Sequence, residues 1–77
     1  MARREFPGFE AVSAMVPAEG GGYHPAIAVK ALNGGGAPRF HKILEGQVLA
    51  SAVATDAVAS AELERLQGVD DAGELIW

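Results

Sequence analysis

A chain of 77 residues can make one domain with one modest core, and alanine supplies much of its 49% apolar fraction. Without cysteine, neither a disulfide nor a thiolate metal site can brace that core, so marginal stability or support from a second copy is the natural expectation. The formal charge of −4 excludes a uniformly basic surface but allows a charge-segregated one, because Glu62, Glu64, Asp70, Asp71 and Glu74 gather towards the C-terminus.

Met1-Ala2-Arg3-Arg4-Glu5 is charged like the start of an export signal, but Pro7, Gly8 and Glu10 interrupt the apolar run that would have to follow. The least polar stretch, Val48 to Ala61, contains Ser51, Thr55, Asp56 and Ser60 and is too short and too polar for a membrane span. A cytoplasmic protein without membrane partners is expected.

Phe9 to Val16 has strand composition, and Pro17-Ala18-Glu19-Gly20-Gly21-Gly22 ends it in a turn. Tyr23 to Leu32 alternates, with Tyr23, Pro25, Ile27 and Val29 on one face and His24, Ala26, Ala28 and Lys30 on the other. Pro25 has no N–H to give, so the regular pairing on one side should break there. The loop Asn33-Gly34-Gly35-Gly36 leads to a third strand over about residues 39–49. If Leu32 faces Ala37, Val29 pairs with Phe40, Ile27 with Lys42 and Pro25 with Leu44, while Lys30 pairs with Arg39, Ala28 with His41 and Ala26 with Ile43. This register separates a bulky apolar set from a basic set, with Lys42 as an intruder on the apolar side. Glu45-Gly46 marks a turn or bulge before Gln47-Val48-Leu49.

Ser51 is a good N-cap, Ala52 to Gln67 lacks Gly and Pro, and Gly68 can close the helix as its C′ residue. Ala52, Thr55, Ala59, Leu63 and Leu66, with Val58 beside them, share the face that packs on the sheet. Ala54, Ala57 and Ala61 form a second stripe of small residues. The tail, residues 69–77, joins the acidic turn Asp70-Asp71 to Leu75-Ile76-Trp77, which should be ordered. It can end in a short strand over 74–77 and dock on its own core or on a second chain.

Little points to chemistry. The glycine triplets precede strands and lack the Lys-Ser/Thr of a phosphate loop. His24 and His41 stand four residues apart along the sheet, on the order of 13 Å at strand rise, too far to share a metal. No Ser-His-Asp spacing, carboxylate pair or cysteine nucleophile is present, so neither a catalytic residue, a metal site nor a cofactor is expected and the chain reads as a non-enzyme. The remaining feature is Lys30 opposite Arg39, with His41 and Phe9 nearby. Two facing cations repel unless an anion lies between them. Lys30, Arg39, His41 and Phe9 are thus the candidate ligand-binding residues, for nucleic acid or another anion.

The expected architecture is α+β, a three-stranded antiparallel meander with one C-terminal helix on one face. The order Phe9–Val16, Tyr23–Leu32, Arg39–Leu49, then Ser51 and the alanine-rich helix, resembles the small DNA-binding domains of the AP2 and integrase-arm types. The resemblance is one of topology over most of the chain, without a shared motif, and it implies a nucleic-acid ligand on the uncovered sheet face. The composition favours a protein-interaction module, bound to another protein or to itself as a homodimer, with nucleic-acid binding as the alternative.

Overall fold

A computed structural model describes residues 2–33, 36–44 and 47–77. Its frame is an antiparallel sheet of four strands in chain order: β1 (Arg3–Phe6), β2 (Phe9–Pro17), β3 (Tyr23–Ala31) and β4 (Arg39–Lys42). The helix α1 (Ala52–Arg65) follows, and β5 (Gly68–Val69) pairs with β6 (Leu75–Ile76) in a small terminal hairpin. No helix among the described residues is long and apolar enough to cross a membrane.

The α+β class and antiparallel sheet agree with expectation, but the sheet has four strands instead of three. Arg3-Arg4-Glu5-Phe6 forms the additional one, joined to β2 through the turn Pro7-Gly8. Gly8, at φ 82°, takes the left-handed position that a type II turn requires after proline. The strand is hidden in the sequence because its inward residue Arg4 is charged. Arg4 Nη1 donates to the carbonyls of Leu63 at 2.9 Å and Leu66 at 2.7 Å, and the guanidinium lies 4.8 Å from the Phe6 ring centre. A cation at a helix C-terminus satisfies orphan carbonyls and opposes the negative end of the dipole.

That contact also explains how α1 ends. Leu66 leaves the helix in extended conformation, φ −63° and ψ 128°, and buries its side chain. The helix therefore stops at Arg65, short of Gln67, and Gly68 enters β5 instead of acting as the C′ residue. The N-terminus is as expected: Ser51 Oγ accepts from the Ala54 N–H at 3.1 Å. Thr55, Ala59 and Leu63 are buried against the sheet, Val58 is half-buried, and Ala52 is exposed along with the stripe Ala54, Ala57 and Ala61.

The β3 faces are those read from the alternation, but the β3–β4 register is shifted by one residue. Val29 pairs with Arg39, Ala28 with Phe40, Ile27 with His41 and Ala26 with Lys42. Lys30 therefore does not oppose Arg39, nor Val29 Phe40. A shift of one turns every β4 side chain to the other face. The observed register places Ile43 in the core beside Ala11, Ile27, Val29 and Leu63. It also moves Lys42 to the uncovered face, removing the intruder.

Pro25 breaks the ladder on the β4 side, as its missing donor demands. Pairing with β2 runs through it, Met15 with Pro25 and Val16 with His24. On the other side the Pro25 carbonyl accepts from the Ile43 N–H at 3.0 Å, after which regular pairing stops. A strand residue's N–H and C=O point the same way, so the absent donor falls where the ladder ends. The strand β4 is thus four residues long, and Leu49 returns as an isolated bridge to Tyr23. The expected turn at Glu45-Gly46 and the centre of the Asn33–Gly36 loop, Gly34 and Gly35, lie outside the described residues.

Leu75 and Val69 pack on the main core, so the terminal hairpin docks on its own chain. The Gln67 N–H bonds the Ile76 carbonyl at 2.8 Å, while Ile76 and Trp77 remain partly exposed.

Candidate functional site

The helix and the terminal hairpin cover one face of the sheet and leave the other open. On the open face β1 contributes Arg3 and Glu5, β2 Glu10, Val12 and Ala14, β3 Ala26, Ala28 and Lys30, and β4 Phe40 and Lys42, as the pairing dictates. Small residues occupy the centre. Ala26 is fully covered and Ala28 is 4% exposed. Phe40, the cross-strand partner of Ala28, stands beside them 55% exposed. Val12 and Phe40 wall an apolar trough of about 400 Å³ with Glu10 and Lys30 towards one end.

Charge on this face is organised between side chains. Glu5 and Glu10 stand directly opposite, an unfavourable pairing of like charges. Arg3 resolves it by bridging both, with Nε donating to Glu10 at 2.8 Å and Nη2 to Glu5. These hydrogen bonds, that to Glu10 first, raise the Arg3 guanidinium further above its already high range. Lys30 faces Glu10 across β2 and β3. Ser13 and Asp56 also line the trough, and the Ser13 hydroxyl donates to Asp56 at 2.9 Å and accepts from the Ala2 N–H at 2.9 Å. The Asp56 carboxyl, which accepts the Ser13 hydrogen bond, is held below the usual range.

The four residues singled out from the sequence fall into two places. Lys30 is on the open face. Arg39, His41 and Phe9 are on the opposite one, gathered around the terminal hairpin. Arg39 Nη1 donates to the Ala72 carbonyl at 2.9 Å and its Nη2 lies 3.5 Å from Glu74. His41 Nε2 is 3.0 Å from the Gly73 carbonyl and must carry the proton to bond it, leaving Nδ1 3.8 Å from Glu74. Phe9 packs against the main core. A Cβ on Gly73 would meet Arg39 Nη1 at 3.5 Å and Phe9 Cε1 at 3.9 Å, so the hairpin turn sits close on both. His24 and His41 also occupy opposite faces, which separates them more completely than distance along one face.

A second concavity, a cleft of about 560 Å³, lies where β4, the last turns of α1 and the terminal hairpin meet. Ile43 and Leu75 give it apolar surface, Trp77 borders it, and its acidic groups already have cationic neighbours: Glu62 pairs with Arg65 at 3.2 Å and Glu74 with Arg39 at 3.5 Å. Among the described residues no group of three or more His, Cys, Asp or Glu side chains is placed to hold a metal ion.

Sequence reasoning missed Val12, Ala14 and Phe40 as surface residues. Ala26 and Ala28 were visible as a small-residue stretch, but Phe40 joins them only in the observed register. The chain matches no protein-family model, no curated protein and no solved structure.

Proposed function

We propose that this protein is a small non-enzymatic interaction module that binds a protein partner through the open face of its sheet. The observation carrying this reading is the trough lined by Val12, Ala14, Ala28 and the exposed Phe40. A sheet face normally buries its apolar residues under a second layer, and here the layer is missing over a surface whose largest side chain is an exposed aromatic. Aromatic anchors within an apolar patch and a charged rim are the anatomy of a protein interface. Lys30 stands apart from Arg39 and His41, which are engaged by the terminal hairpin. The open face therefore favours a protein over a polyanion.

The test is photo-crosslinking in living cells with a photoreactive residue at position 40 or, as a control, at position 53. Val53 is 82% exposed on the helix, away from the sheet. Discrete protein adducts at position 40 and none at 53 are expected. Equal yields at both positions would remove the face from consideration.

A further inference from the structure

Beside the open face the sheet ends in a bare edge, and we infer that this edge of β4 receives an extended segment of a partner protein as an added antiparallel strand. The partner class rests on the interaction reading, but the surface is another one: a backbone edge with the cleft beside it. The bond from the Ile43 N–H to the Pro25 carbonyl fixes the phase of the β3–β4 ladder. Bonded residues alternate in an antiparallel pair, so Arg39, His41 and Ile43 turn their backbone groups to β3 while Phe40 and Lys42 turn theirs outward. Those outward N–H and C=O groups have no partner among the described residues, and both residues are exposed. Another extended backbone is what satisfies such a row. Pro38, without an N–H, closes one end of it, and Leu44, at φ 51°, turns the chain away at the other. The space fits a short linear segment better than the edge of a folded sheet.

The opposite edge of the sheet is guarded. The Ser13 N–H bonds the Ala2 carbonyl, so the outward residues of β1 are Arg3 and Glu5, whose side chains are tied to each other, with Arg3 also held by Glu10. Charged side chains along an edge discourage pairing. On β4 the outward residues are instead the exposed Phe40 and Lys42, and Lys42 has no ion pair among the described residues. Side chains of an added strand alternate between the two faces. Those opposite Phe40 and Lys42 lie on the open face, where a carboxylate pairs with the Lys42 ammonium. Those opposite His41 and Ile43 lie on the covered face, at the cleft of about 560 Å³ to which Ile43, Leu75 and Trp77 contribute apolar surface. The segment therefore carries apolar side chains at every second position, with an acidic one between them. Backbone bonds give it affinity and the cleft gives selectivity.

The probe is the end-blocked peptide Thr-Val-Glu-Val-Thr-Val-Lys, whose Glu falls opposite Lys42 with the valines on either side opposite Ile43 and His41. Binding is read from the fluorescence of Trp77, the one tryptophan of the chain, which borders the cleft. In this register the amide nitrogens of Glu and the second Thr face β4, and those of the two valines flanking Glu face solvent. A saturable change is expected with the parent peptide and with the form N-methylated at those two valines. Methylation at Glu and the second Thr should weaken binding at least about tenfold. Lys42→Pro removes an N–H that points away from β3, so the sheet keeps its own bonds, as circular dichroism will show. It should weaken binding to the same degree, and Lys42→Ala, which keeps that N–H, by less. The absence of a saturable change at millimolar peptide overturns the inference, and so does equal binding of the two methylated forms, a comparison made on the wild type. Unchanged binding by a folded Lys42→Pro overturns it as well. Adducts at position 40 in cells without peptide binding would leave the open-face reading standing, whereas peptide binding without adducts would remove that reading and leave the added strand.

Discussion

The two faces of the sheet handle charge in opposite ways. On the covered face Arg4, Arg39 and His41 each reach a backbone carbonyl far away in sequence: Leu63 and Leu66, Ala72, and Gly73. On the open face Arg3 pairs with Glu5 and Glu10, side chain to side chain, within two adjacent strands. Carbonyls cannot be titrated away or swung aside, so the first arrangement fastens elements together. Exposed side-chain pairs add little to stability and leave the face available to a partner. Arg3 and Arg4, adjacent in sequence, thus have unrelated roles.

The contrast can be broken most severely from the covered side. Leu63, fully buried between helix and sheet, should cost about 2–5 kcal/mol on replacement by alanine, measured by urea unfolding. Gly22→Ala should follow at about 2–4 kcal/mol, because at φ 81° a Cβ would stand 2.7 Å from Val48 Cγ1 and 2.8 Å from the Leu49 carbonyl oxygen. Arg4→Ala should cost about 1.5–3 kcal/mol, since it uncaps the carbonyls that end α1. Arg3→Ala, one residue away, should leave the unfolding midpoint unchanged. Equal losses for the two arginines would erase the distinction between the faces.

The smallest expected effect concerns pH. The Asp56 carboxyl has its folded-state pKa lowered, so its contribution is fully present above the ordinary carboxylate range and fades as pH falls through the folded value. Asp56→Asn should therefore lower stability near neutrality more than at about pH 3, flattening the acid limb of the stability profile. An unchanged profile would show that the hydrogen bonds to Asp56 are without energetic consequence.

What the sequence disclosed follows from local rules. The alternation of Tyr23 to Lys30, the turn at Gly20–Gly22, the Ser51 cap and the face Thr55, Ala59, Leu63 and Leu66 need only period and propensity. What it concealed depended on distant partners. Arg4 reads as a solvent residue until the carbonyls of α1 are placed above it. For β4 both registers bury an apolar residue, Phe40 in one and Ile43 in the other. The choice involves contacts from Arg39 and His41 to residues more than thirty positions later, which no local window contains. The candidate site was half legible for the same reason: Ala26 and Ala28 lie on a strand whose faces are evident, whereas Phe40 belongs to the strand whose register is not.

The contacts of Arg4 bear on how this chain is made. Arg4 is synthesised 59 and 62 positions before its partners Leu63 and Leu66. During translation the first three strands can leave the ribosome and pair as hairpins, but the helix that closes over them ends unfastened until Leu66 has emerged. The nascent chain must therefore carry an open, partly apolar sheet until Leu66 has emerged. The charged side chains of Arg3 and Glu5, at its outer edge from the start, are placed to keep that intermediate from pairing with its neighbours on the same message.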